Sequence, residues 1–163
     1  MQTQITWPLV KNVIRKNKKS NTFGRFVERE KGAHWGWDFQ ANVGTPCFAI
    51  ADGRIAAVYG AVSENKGFGL VVVLEFEFEG RTLYAAYCHL SAAVVSRELE
   101  VNRGQLLGYT GNSGNAFKMD KFNEHLHFEI RTIIKPGLGG PPHRIDPIMV
   151  FKTCPLLVPI FES

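Results

Sequence analysis

From Gly32 onward glycine returns every few residues, at positions 36, 44, 53, 60, 67, 69, 80, 104, 108, 111 and 114, and the segments between are short runs of β-branched and aromatic residues. Such punctuation leaves little room for long amphipathic helices and reads as strands joined by turns. Residues 70–89 give the clearest hairpin. Leu70, Val72, Leu74, Phe76 and Phe78 share one face of a strand, Glu75, Glu77 and Glu79 share the other toward its far end, and Glu79-Gly80 supplies the turn. The return strand sets Leu83, Ala85, Tyr87 and His89 against Tyr84, Ala86, Cys88 and Leu90. Residues 104–108 read as another short strand, and residues 125–132 alternate strictly. The expected fold is mainly β, with antiparallel sheets forming an open groove and few short helices.

The flanks are less regular. Residues 1–33 lack a period, although residues 11–21 suit a short helix or a solvated loop. Residues 94–100 suit a short helical or irregular turn, and the polar, Gly/Asn-rich stretch 110–124 suits a long loop, of the kind that often carries function. Residues 135–142 (KPGLGGPP) exclude regular structure, and the tail 145–163 is apolar and interrupted by proline. With no repeat and no linker, one domain over residues 1–163 is expected. A chain of 163 residues that is 45% hydrophobic and 12% aromatic can bury a core, which excludes global disorder. No apolar run approaches the ~20 residues a membrane span needs. The net charge of +4 is concentrated at Lys11, Arg15, Lys16, Lys18 and Lys19. That run has no interleaved aromatics, so it reads as a solvated segment and not as a nucleic-acid platform. Cys47, Cys88 and Cys154 are odd in number and lack metal-knuckle spacing, so they read as small apolar residues.

The chemistry lies with the histidines. In His125-Leu-His127-Phe-Glu129, Leu126 and Phe128 face the core while His125, His127 and Glu129 share the other face. Imidazoles two apart on a strand stand ~6.5–7 Å apart along it. They can flank one small centre as two ligands, act as one ligand and one acid/base, or simply be a surface pair. His34 and Asp38, four apart in an extended segment, again point the same way; imidazole and carboxylate are zinc donors, or a plain hydrogen-bonded pair. His89 ends the hairpin on the face of Tyr87. A catalytic zinc site takes three protein ligands and an open fourth position, which leaves two histidines to move protons. A thiol hydrolase built on Cys88 and His89 is the competing chemistry, but strand neighbours point to opposite faces.

Five stretches occur in order: His34-Trp-Gly-Trp-Asp38-Phe; Gly44-Thr-Pro-Cys-Phe-Ala-Ile-Ala-Asp-Gly53; Tyr87-Cys-His89-Leu-Ser; Gly104-Gln-Leu-Leu-Gly-Tyr-Thr-Gly-Asn-Ser-Gly114; and His125-Leu-His-Phe-Glu129. This set resembles the lysostaphin/LytM-type zinc endopeptidases, which cleave peptidoglycan peptides, over roughly residues 23–151. The remainder then forms an N-terminal extension (1–22) and a tail (152–163). The resemblance implies one Zn²⁺ held by His34, Asp38 and His127, with His89 and His125 as the catalytic pair assisting a metal-activated water. Candidates for the substrate groove are Tyr87, Asn112 and Phe117; core packing is the alternative for Tyr87 and turn chemistry for Asn112. Ten residues, 115–124, separate Gly114 from His125 and suit a groove wall, a lid or a packed surface loop. Glu129 suits a place behind a metal ligand or an ion pair with Arg131 or Arg81, and His143 suits the surface. The expected partners are peptidoglycan peptides and a cognate immunity or inhibitor protein, with the chain a monomer. With no secretory leader after Met1, synthesis in the cytoplasm is expected, then delivery to the periplasm or wall by a non-Sec route, as an antibacterial effector. A non-catalytic wall-binding or amidase-activating module is the alternative, against which stands the presence of all five site residues.

Overall fold

The computed structural model describes residues 2–27, 29, 32–137 and 140–156. Among them are eleven strands: β1 (Gly24–Arg25), β2 (Ala33–His34), β3 (Trp37–Gln40), β4 (Pro46–Phe48), β5 (Gly53–Tyr59), β6 (Leu70–Phe78), β7 (Arg81–Ala93), β8 (Glu100–Val101), β9 (Leu106–Thr110), β10 (His125–Arg131) and β11 (Arg144–Ile145). One short helix, α1 (Ile148–Phe151), follows. The mainly β expectation holds. β11, β10, β7, β6, β5 and β8 lie side by side in that order, every pairing antiparallel; β3 adds to β10, and β9 joins β7 to β4. β1 and β2 form a separate two-stranded ribbon. No helix among the described residues is long and apolar enough to cross a membrane.

The alternation read from sequence builds the core. Trp37 and Phe39 of β3, Leu126, Phe128 and Ile130 of β10, Leu83, Ala85 and Tyr87 of β7, and Val72, Leu74 and Phe76 of β6 bury their side chains in one cluster. Phe151 of α1 closes it by stacking on Trp7 and Trp37, with centroids 4.5 and 5.7 Å apart. The other face of β6 is buried too: Val71 and Val73 pack with Ala56, Ala86 and Cys88. Burial on both faces explains the unbroken apolar run at the start of β6. Glu79 and Gly80 both take positive φ (50° and 79°), the conformation a two-residue hairpin needs to match strand twist.

Two departures from the sequence reading shape the site. In the β6–β7 ladder Val72 pairs with Tyr87 and Leu70 with Leu90, so β7 takes three steps where β6 takes two. This bulge re-aims the side chains beyond it, and His89 within it sits at φ 60°, a left-handed conformation that costs a non-glycine residue about 1–3 kcal/mol. The second departure is in the basic segment, which is not simply solvated. It forms 3-10 turns at Arg15–Asn17 and Lys19–Asn21, buries Ser20 and Asn21, and pairs Ile14 with Phe39 of β3. Within the long loop, short 3-10 turns occupy Gly114–Ala116 and Lys121–Asn123. Residues 138–139 of the 135–142 stretch, and the tail beyond residue 156, lie outside the described residues.

Candidate metal centre

Because Trp37 and Phe39 point into the core, Asp38 between them must face the other way. The β3–β10 register sets Asp38 directly opposite His127, whose own neighbours Leu126 and Phe128 also point into the core. His34, at the end of β2, completes the group. Between His34 and Asp38 the chain passes so close to β10 that a side chain at Gly36 would meet the Phe128 carbonyl at 2.5 Å and His127 Cε1 at 3.0 Å. Glycine is therefore what allows the two segments to converge.

All three residues are buried, and one donor atom from each lies within 4.8 Å of the others. Asp38 Oδ1 is 3.1 Å from His34 Nε2 and 2.8 Å from His127 Nδ1. Zinc bonds of about 2.0–2.1 Å in a tetrahedron place ligand atoms about 3.4 Å apart, so the spacing suits one such ion. The remaining ring nitrogens are already committed. A carbonyl can only accept, so His34 donates Nδ1–H to the Thr22 carbonyl (2.8 Å) and turns Nε2 toward Asp38. His127 Nε2 meets Glu129 Oε2 at 2.9 Å, which leaves Nδ1 for the centre. Fixing the far nitrogen in this way orients a metal-binding imidazole and raises its donor strength. Glu129, buried in turn, accepts from Arg131 Nε (2.7 Å) and Arg144 Nε (2.8 Å). Phe68 stacks on His127 with centroids 5.6 Å apart, and both guanidinium groups lie over the same ring. Glu129 thus stands behind His127 and also pairs with Arg131, with Arg144 taking the place suggested for Arg81.

The bulge in β7 brings His89 to this same face. Its Nδ1–H is donated to the Ser113 carbonyl (2.8 Å), and its ring lies 5.6 Å from His125 and 5.9 Å from His127 between centroids. His125 donates Nδ1–H to the Asn123 carbonyl (2.8 Å), while its Nε2 stands 3.6 Å from Asp38 Oδ1. Both imidazoles therefore keep Nε2 as a proton acceptor.

Electrostatics follow from burial and charge. Burial opposes ionisation of Asp38, but the facing imidazoles of His125, His34 and His127 outweigh it and hold the carboxyl well below the usual range. Burial pushes His89 down to about 3, helped by the charges of His127 and His125, and also lowers His125. His127 goes the other way. Burial opposes its charge, yet the hydrogen bonds to Asp38 and Glu129 raise it to about 9 in the metal-free protein.

The five histidine and aspartate positions selected from sequence line one cavity of about 570 Å³, together with Arg15, Trp35, Phe68, Asn115, Met119 and others. The groove candidates fare differently. Tyr87 is a correction: it is fully buried, its hydroxyl donates to the Phe48 carbonyl (2.9 Å) and accepts from Ile50 N–H (3.1 Å), and its ring packs on Phe128. The simple alternation that put Tyr87 and His89 on one face is broken by the bulge. Asn112 and Phe117 are not among the cavity walls; Phe117 is exposed, with the Lys118 ammonium 5.3 Å above its ring. The 115–124 loop instead contributes Asn115 and Met119, so it does form part of a wall. Cys88 is wholly buried in the second cluster and its thiol is pushed up by burial, which removes it as a nucleophile. Sequence reasoning missed Arg15 and the carbonyls of Thr22, Ser113 and Asn123. Arg15 was hidden in a run that looked merely basic, and a backbone carbonyl leaves no mark in a side-chain pattern.

Residues 32–141 match peptidase family M23. The chain is 31% identical over 105 residues to the peptidoglycan DD-endopeptidase ShyA of Vibrio cholerae, covering 64% of this chain and 21% of that protein. It is 37% identical over 105 residues to the glycyl-glycine endopeptidase ALE-1 of Staphylococcus capitis, covering 62% and 25%. Each alignment thus spans a quarter or less of the relative's length. Among solved structures, the catalytic domain of the antimicrobial peptidase lysostaphin from Staphylococcus simulans superposes with a TM-score of 0.63 at 27% identity, covering 88% of this chain and all of that one. The family match takes in both ligand-spaced segments, well over half of the chain, and the chain belongs to peptidase family M23.

Proposed function

We propose that this chain is a zinc-dependent endopeptidase that hydrolyses peptide bonds in peptidoglycan stem peptides or crosslinks. The observation that carries this reading is the buried His34–Asp38–His127 donor set, in which each imidazole has its far nitrogen fixed, beside two further imidazoles with unprotonated Nε2 atoms. Zinc held there would supply Lewis acidity and a water whose pKa falls from ~15.7 toward ~7. His89 and His125 are neutral near pH 7 because burial penalises their charged forms, so either can accept the proton of an attacking water. The resulting imidazolium can then return that proton to the departing amine.

The named relatives act on different bonds, one as a DD-endopeptidase and another on glycyl-glycine links. Mass spectrometry of muropeptides released from purified sacculi therefore tests the activity and identifies the bond together. New amino termini that vanish with a chelator and return with zinc are expected. Unchanged muropeptides from zinc-loaded protein would instead favour the non-catalytic wall-binding or amidase-activating module. The lysostaphin likeness supports an antibacterial role as part of the same proposal. Lethality on periplasmic targeting and none on cytoplasmic expression is the expected pattern, and the reverse would remove the effector reading.

Metal uptake should be linked to pH through His127. Below about 9 the metal-free imidazolium holds a proton that a metal at Nδ1 must displace. Zinc binding at pH 7 is therefore expected to release about one proton from this residue, with affinity rising toward pH 9 and levelling above it. Titration calorimetry in buffers of different ionisation enthalpy measures that proton, and a buffer-independent enthalpy would contradict the assignment.

A further inference from the structure

The N-terminal segment lies outside the family-matched residues, yet it reaches the centre of the site. Ile14 bridges Phe39, and Gln40 N–H donates to the Val13 carbonyl at 2.8 Å, so the segment is tied to the strand that carries Asp38. The guanidinium of Arg15 is thereby delivered beside the Asp38 carboxylate, with its side chain only 14% exposed. Its Nη2 donates to Asn21 Oδ1 (2.8 Å) and Asp38 Oδ2 (3.3 Å), and its Nη1 donates to Asn123 Oδ1 (3.2 Å). Asn123 is the residue whose carbonyl takes the Nδ1–H of His125. One planar fork thus touches the carboxylate oxygen turned away from the ligand imidazoles and also the residue that orients a second imidazole.

From this geometry we infer that Arg15 is a positioning residue of the active site, coupling the Asp38 carboxylate to the orientation of His125. By engaging Oδ2 it restrains rotation of the carboxylate and leaves Oδ1 to face His34 and His127. By holding Asn123 it fixes the turn at Lys121–Asn123 from which His125 enters β10. A mere countercharge would not explain the reach to Asn123. Arg29 also stands near Oδ2 (3.6 Å), so Arg15 is not the sole cation there. A lysine could not replace it, because an ammonium is a point charge and cannot span both acceptors in one plane.

The inference rests on the zinc-peptidase reading above, and its test separates the two. Wild type, R15A, R15K, N123A and the R15A/N123A double variant are compared as zinc-loaded protein for zinc stoichiometry, kcat, KM and the nitrogen-15 signals of His125. R15A is expected to keep one zinc, lose about 10–100-fold in kcat, the usual effect of removing a group behind a metal site, and hold KM within about twofold. R15K should stay near R15A. N123A should also lower kcat, with no further loss in the double variant, because the two changes break one coupling. His125 should show a single Nδ1–H tautomer in the wild type and a mixture in R15A and N123A. Wild-type kcat and wild-type His125 signals in R15A, or full recovery in R15K, would overturn the inference while leaving the peptidase reading intact. If R15A does not fold, N123A decides on the same two readouts. A wild type that takes up no zinc would sink the metal reading and this inference with it.

Discussion

Replacing Asp38 with Asn is expected to strip the chain of stoichiometric zinc and to reduce peptidoglycan hydrolysis to background. The substitution keeps the volume of the side chain, so packing against Trp37 and Phe39 is undisturbed, but it removes the charge on which the centre converges. Asp38 Oδ1 lies within hydrogen-bonding distance of the His34 and His127 imidazoles, while Oδ2 faces Arg15 and Arg29. Changes behind a metal site already cost 10–100-fold in affinity, so loss of a ligand should exceed about 100-fold. A second cost appears in the metal-free protein. The carboxyl is held ionised by its imidazole neighbours, and breaking a buried pair by removing one partner destabilises by about 3–5 kcal/mol. Metal analysis after gel filtration and a thermal melt measure the two effects separately. Full zinc occupancy in the variant would remove Asp38 from the ligand set.

The second large effect separates binding from turnover. His125 to Ala is expected to leave zinc stoichiometry at one while kcat falls about 10²–10⁴-fold, the usual contribution of a positioned acid/base group. The reason is geometric. His34, Asp38 and His127 are the group whose donor atoms gather within 4.8 Å of one another among the described residues, and His125, its Nδ1 occupied by the Asn123 carbonyl, stands beside them. His89 to Ala should behave alike, since its Nε2 faces the same cavity. Steady-state kinetics alongside metal analysis give the answer. Loss of zinc from the His125 variant would instead place that residue among the ligands.

These predictions show which parts of the molecule a reader of the sequence can reach. Strict alternation at 125–131 placed His125, His127 and Glu129 on one face, and β10 has that arrangement, because a strand packed on one side by Leu126 and Phe128 has no other choice. The hairpin turn at Glu79-Gly80 was equally legible, since Gly80 takes a positive φ without steric cost and stands between two alternating runs. His89 was reached for the wrong local reason. Simple alternation assigned it the face of Tyr87, whereas a bulge sends Tyr87 into the core and His89 into the cavity. A bulge is set by the partner strand, so residues 87–90 alone do not announce it. Arg15 was out of reach for a related reason. Its role depends on Ile14 pairing with a strand more than twenty residues away, and within its own segment it is one cation among five. The carbonyls of Thr22, Ser113 and Asn123, which fix three imidazoles, have no sequence signature at all.

X-ray absorption at the zinc edge, on wild-type protein loaded with one equivalent of metal, addresses the central claim most directly. The His34–Asp38–His127 assignment predicts two imidazole nitrogens with oxygen completing the shell, at about 2.0–2.2 Å and without sulfur. A spectrum with fewer than two imidazoles, or with a sulfur at about 2.3 Å, would contradict it.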